Sequence, residues 1–206
     1  MKRPIDIIDD FYTKEELQVL ERELNIDRNQ LDFAPTCQPF SLRKNLSSRF
    51  QAYPCHETYE VNEKNDIYIN LFNKLKEHVK PDIKKIRTFF RKIYRDELEK
   101  SVCYTGKGMI HNDAEEFQLA GVIYLDDGYS FNAGTNLFTT SKYGEQFEHD
   151  IQVGSVFNRC IVYPADILHQ PSFDMNLKSR FIQTFFIFKD KELENKDKKY
   201  DINNCI

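Results

Sequence analysis

The sequence predicts an α+β protein, with helices in its first half and an antiparallel sandwich or barrel in its second. Three observations lead there. The 206 residues are 40% hydrophobic, enough for one sizeable core. Apolar residues recur at helical spacing through the first hundred positions. From Ser101 onward, short β-rich runs follow one another too closely to leave room for crossover helices. Helices first and strands after place the helices on one outer face of the sheets.

Taken in order, Thr13 and Glu16 form a capping-box pair. Leu17, Leu20 and Leu24 then share one face of a helix reaching about Asn25. From Arg28 to Tyr59, Pro35, Pro39 and Pro54 interrupt a stretch with few periodic apolar residues, read as irregular with room for a short strand. A second helix is expected from about Asn65 to His78, with Leu71, Leu75 and Val79 in step. Pro81 suits the first turn of a third, because its missing N–H is not needed there. Ile83, Ile86, Phe90, Ile93 and Tyr94 would be the apolar face of that helix. Lys84, Lys85, Arg87, Arg91, Lys92 and Arg95 would be its solvated basic face. The helical part is thus expected over about residues 1–99 and the β core over about 100–190. The β runs are SVCYTG, LAGVIYLDD, GTNLFTT, IQVGSVF, RCIVYP and RFIQTFFIF. Residues 191–206 form a charged tail, expected as a helix fraying into disorder.

Composition excludes several classes. The net charge is −4 and basic residues are mixed with acidic ones, so a nucleic-acid partner is not expected. Cys37, Cys55, Cys103, Cys160 and Cys205 are odd in number and form no CxxC pair, which argues against a disulfide framework or a cysteine zinc site. The N-terminal stretch turns acidic too early for a signal peptide, and no apolar run approaches the roughly 20 residues that span a bilayer. A cytoplasmic protein without membrane contact is expected.

The candidate chemistry lies in the β-rich half. His111-Asn112-Asp113 is an HxD triplet; on or beside a strand its outer side chains point the same way. His169 follows the run RCIVYP. Two histidines and a carboxylate are the donor set of the facial triad of non-haem iron(II) oxygenases, although zinc accepts the same donors. Arg180 lies eleven residues beyond His169, at the start of a run apolar on both faces. A buried arginine there needs a carboxylate partner. Its planar fork suits the far carboxylate of a dicarboxylic co-substrate. The alternatives are an exposed strand end, or pairing with Asp174 or Asp166.

In order, these residues resemble the 2-oxoglutarate- and iron(II)-dependent dioxygenases, and within them the prolyl-4-hydroxylase-like branch. Tyr104-Thr105-Gly106 stands before the HxD as a Tyr-x-Gly segment does in that branch. The segments 121–126 (GVIYLD), 133–138 (AGTNLF) and 158–164 (NRCIVYP) are similar to its next strands. The likeness covers about residues 100–190. It implies a double-stranded β-helix, or jelly roll, with N-terminal helices packed outside, within a single domain over 1–190. It implies iron(II) held by His111, Asp113 and His169, and 2-oxoglutarate held by Arg180 with Tyr104 and Tyr124 lining its pocket. Both tyrosines also fit as ordinary strand core. Where the family often has Ser or Thr two residues after the arginine, this chain has Ile182; Thr184, on the same strand face, is the expected substitute. The implied activity consumes oxygen and 2-oxoglutarate, with ascorbate as an optional reductant, and hydroxylates a C–H bond. The likeness favours a peptide or protein substrate, proline included. A small molecule or nucleobase, or a non-catalytic binding module, are the alternatives. Substrate contacts are expected from Asp127–Asn132 and from Arg28–Tyr59. His56, His78 and His149 lack a partner motif and are read as surface or structural.

Overall fold

The capping box forms as expected. Thr13 N–H donates to Glu16 Oε2 at 2.7 Å, Glu16 N–H donates to Thr13 Oγ1 at 3.3 Å, and helix α1 runs Lys14–Leu24. Helix α2 spans Asp66–His78, and the side chain of Asn65 caps it by accepting from Ile67 N–H at 2.8 Å. Neither helix is long and apolar enough to cross a membrane. The computed structural model describes residues 5–24, 38–39, 56–57, 60–96, 110–113, 115–126, 129–138, 151–174 and 176–190. The expected SVCYTG strand and the C-terminal tail lie outside the described residues.

Where α2 ends, the chain does not enter the third helix expected from Pro81. Ile86–Tyr94 instead form strand β4, inside the main sheet. The stretch fits both periods, because Ile86, Phe90 and Ile93 are spaced for a helix face while Ile86, Thr88 and Phe90 alternate. Flanking strands decide. A central strand buried on both faces reads as a nearly continuous apolar run, and the Ile, Thr, Phe and Tyr content suits a pleated surface.

Further strands are β1 (Asp6–Ile8), β2 (Gln38–Pro39), β3 (His56–Glu57), β5 (Phe117–Tyr124), β6 (Tyr129–Phe138), β7 (Ile151–Val156), β8 (Cys160–Pro164), β9 (Leu168–Ser172) and β10 (Ser179–Phe188). The larger sheet has the order β1-β8-β5-β10-β4-β3-β2, the smaller β7-β6-β9, and every pairing is antiparallel. Strand β9, which carries His169, was not anticipated; its sequence, LHQPS, has no strand signature.

Two cores follow from the alternation of side chains. Phe90, Leu119, Ile123, Cys160, Val162, Phe181 and Phe185 leave the outer face of the large sheet and pack with residues of α1 and α2, among them Leu20, Leu71 and Leu75. Phe89, Ile93, Val122, Tyr124, Ile161, Tyr163, Ile182 and Phe186 leave its inner face and meet Leu137 and Val153 of the small sheet. The helices therefore cover one side and the interior between the sheets stays free for a site. A register shift between Ser130 and Gly134 bends β6. Gly134 has φ +141°, and a Cβ there would lie 1.9 Å from Val153 O, so only glycine fits.

Candidate metal centre and anion pocket

The backbone sets the metal site. His111 and His169 form an isolated antiparallel bridge, with N–H to O distances of 3.0 and 2.7 Å. Asp113 N–H donates to Ala165 O at 2.9 Å, which fixes the carboxylate at the end of β8. The ligand atoms of His111, Asp113 and His169 all lie within 4.8 Å of one another, and His169 Nε2 is 3.8 Å from Asp113 Oδ2. Donors about 2.1 Å from a shared ion sit about 3 Å apart in adjacent octahedral positions, so a small closing of side chains completes the cluster.

Two features test whether a divalent metal fits. Asp113 Oδ2 is buried and has no hydrogen-bond partner. His169 Nδ1 lies 3.1 Å from Ile167 O; that carbonyl holds the proton on Nδ1 and leaves the Nε2 lone pair facing Asp113. Electrostatics agree. Burial raises the Asp113 carboxyl to about 6, against the positive charges of His111 and Arg91, and burial lowers the His169 imidazole to about 4. An acid and an imidazole that both resist charging without a metal match a site built for a divalent cation.

Arg180 is a buried charge in the same fold. It is 1% exposed and lies on the inner face of β10. Nη1 donates to Ser172 O at 3.2 Å, and the guanidinium carbon sits 5.2 Å from the centre of the Tyr124 ring. Nε is buried with no hydrogen-bond partner. Neither acid considered as a partner reaches it: Asp166 is exposed, and Asp174 binds Ser130 Oγ at 2.6 Å and Asn176. No described carboxylate makes an ion pair with Arg180. Ser172 lies three residues beyond His169 on β9, roughly 10 Å along the strand.

Tyr124 is buried under the guanidinium and its hydroxyl pairs with Thr135 Oγ1 at 2.9 Å. Thr184, also buried, has an Oγ1 without a partner. Tyr104 lies outside the described residues. Of the residues expected to contact substrate, 127 and 128 and most of 28–59 lie outside them as well.

Three site residues escaped sequence reasoning. Thr135 fixes the Tyr124 hydroxyl. Tyr163 is buried with its ring centre 4.9 Å from that of His169. Arg91, expected on a solvated helix face, instead shares the inner face of β4 with Phe89 and Ile93. The strand period of β4 was the one signal for it.

No family model matches this sequence, and no curated protein does. Solved structures do. A Pseudomonas putida prolyl-4-hydroxylase is 11% identical, with 90% of this chain and 92% of that one covered at a TM-score of 0.53. A Trichoplax adhaerens prolyl hydroxylase, solved with a hypoxia-inducible-factor peptide, is 15% identical with coverages of 93% and 86% and a TM-score of 0.56. An oxidoreductase of the 2-oxoglutarate–iron(II) oxygenase family from Burkholderia pseudomallei is 10% identical with coverages of 89% and 85% and a TM-score of 0.51. The fold is the double-stranded β-helix of these oxygenases, and it carries a His-Asp-His triad.

Proposed function

We propose that the chain is an iron(II)- and 2-oxoglutarate-dependent dioxygenase that hydroxylates a C–H bond of a peptide or protein side chain, releasing succinate and carbon dioxide. One observation carries the reading. Arg180 is a buried guanidinium with an unmet donor and no ion-pair partner among the described carboxylates, set inside the same interior as a complete triad. A buried cation of this kind calls for an anionic partner, which we assign to the co-substrate. Residues 1–190 are taken as one catalytic domain, with 191–206 appended.

His111, Asp113 and His169 would hold the metal, which when bound supplies the oxidising chemistry with oxygen and the 2-oxo acid. The protein's own residues orient and shield. Arg180 neutralises the far carboxylate of the co-substrate and fixes its direction by two-pronged pairing. The Tyr124 ring supports the guanidinium from below, and Thr135 keeps the Tyr124 hydroxyl in place. Thr184 offers a hydroxyl to the same carboxylate. Val122, Ile182, Phe186 and Leu137 keep the interior dry. Ile167 O holds the His169 tautomer. The peptide substrate rests on the likeness to the two prolyl hydroxylases.

The test is anaerobic calorimetry of 2-oxoglutarate against Mn(II)-loaded protein, followed by succinate release with iron(II), oxygen and ascorbate. Saturable binding that requires the metal is expected. Binding that ignores metal removal would overturn the reading.

A further inference from the structure

We propose that Tyr163 is a positioning residue of the metal centre: its hydroxyl donates a hydrogen bond to the Asp113 carboxylate oxygen left over when the other oxygen holds the metal. The inference rests on the triad assigned above and adds the group that orients its one carboxylate.

Two unmet polar groups share this end of the interior. Asp113 Oδ2 is buried without a hydrogen-bond partner. Tyr163 is 3% exposed, packs in the inner core, and its ring centre lies 4.9 Å from that of His169. Among the described residues its hydroxyl makes no hydrogen bond. A buried tyrosine hydroxyl usually finds a partner. The backbone brings the two groups together. Asp113 N–H is held by Ala165 O at 2.9 Å, and Ala165 follows Tyr163 by two residues. Residues two apart on an extended chain share a face, and both of these belong to the interior between the sheets. They stand about 7 Å apart along the chain, a distance a phenol side chain covers. The register neighbour of Tyr163 on β5 is Ala120, too short to occupy the hydroxyl. His169 joins the pair from the third side, with its ring against Tyr163 and Nε2 3.8 Å from Asp113 Oδ2.

The chemistry of the two groups matches. A carboxylate that gives one oxygen to a cation keeps charge on the second, and away from water that oxygen needs a donor. A phenol serves well because it is neutral and does not repel the metal as an ammonium or guanidinium would. Its ring is also rigid, so the bond fixes the rotation of the carboxylate and with it the direction of the ligating oxygen. Burial, and after it the charge of Asp113, push the Tyr163 phenol well above its ordinary value, which keeps the proton on the donor. Tyr124, Arg91 and Arg180 act on it more weakly. A hydrogen bond to bound 2-oxoglutarate is the competing use of this hydroxyl.

The experiment uses the full chain and Co(II), whose visible absorption reports the arrangement of its ligands. Co(II) affinity is measured without 2-oxoglutarate for the wild type, Tyr163→Phe, Asp113→Ala and the double variant. Tyr163→Phe keeps the packing on His169 and removes only the hydroxyl. It should weaken Co(II) binding about 10-fold or more and shift the Co(II) spectrum. In the Asp113→Ala background the same change should alter affinity by less than about twofold, because the oxygen it serves is gone. A crystal structure of the Co(II)-loaded wild type needs no variant, and should place Tyr163 Oη about 2.7 Å from an Asp113 carboxylate oxygen. Unchanged affinity and spectrum in Tyr163→Phe would overturn the proposal. An equal loss with and without the Asp113 carboxylate would do so as well, since the hydroxyl would then act elsewhere. Normal Co(II) affinity with weakened 2-oxoglutarate binding would give Tyr163 to the co-substrate and overturn it, and so would a loaded structure in which the two oxygens stand beyond hydrogen-bond distance. Failure of the wild type to bind Co(II) at all would strike the triad assignment instead.

Discussion

Replacing Arg180 by methionine separates a ligand-binding arginine from a structural one. Among the described residues the guanidinium has one hydrogen bond, to Ser172 O, and its stacking on Tyr124, while Nε goes unpaired. The bond contributes roughly 1.5–3 kcal/mol and the stacking up to roughly 2 kcal/mol. Burying a guanidinium without a counter-ion costs several kcal/mol, about as much as those contacts return. Methionine fills similar space without that cost, so the ligand-free variant should melt no lower than the wild type. Toward 2-oxoglutarate the two differ sharply. Two charge-assisted bonds to the far carboxylate are worth roughly 3–5 kcal/mol, or roughly 150- to 4,000-fold in affinity. Thermal unfolding with and without 2-oxoglutarate, alongside calorimetry, reads both effects. A variant that melts several degrees lower yet binds 2-oxoglutarate normally would show that Arg180 serves the fold alone.

Three further outcomes are expected. Asp113→Ala combined with His169→Ala should leave Mn(II) affinity at least about 100-fold weaker, since two of three donors are gone; equilibrium dialysis with metal analysis checks it, and retained metal would refute the ligand assignment. Because burial lifts Asp113 to about 6, the acid is protonated below that pH and the proton competes with the metal. Mn(II) affinity should hold above pH 6 and fall about tenfold per unit beneath it, and a titration flat from pH 5 to about 7.5 would contradict this. Gly134→Ala should destabilise the fold by at least about 3 kcal/mol, from a strained positive φ and a clash with Val153 O. Denaturant melts measure it, and an unchanged midpoint would contradict the β6 geometry.

The residues of the site were more legible than their surroundings. His111, Asp113 and His169 could be picked out because ligand chemistry restricts the residue types, and their order along the chain survives any detail of packing. The capping box at Thr13 and the helix at Asp66 are local, so sequence alone located them. Strand β4 was misread because its residues satisfy two periods at once. Only the neighbours β10 and β3, distant in sequence, select between them.

By itself, then, the sequence determined the donor set, the arginine at the head of β10, helices α1 and α2 and most strands of the second half, while the expected helical part, about 1–99, also contributes β1, β2, β3 and β4 to the larger sheet. What was determined depends on residue chemistry and on hydrogen bonding between near neighbours. Tertiary structure alone decided where Arg180 and Arg91 lie and what surrounds them. Whether a guanidinium has a protein acid beside it depends on which strands pack across the interior. Here Asp174 is bound to Ser130 and Asn176, Asp166 is exposed, and Arg180 is left with a buried donor unmet. The turn of β4 from helix to strand likewise carries Arg91 from a solvated surface to the inner face, because alternation at a period of two replaces the helical 3.6.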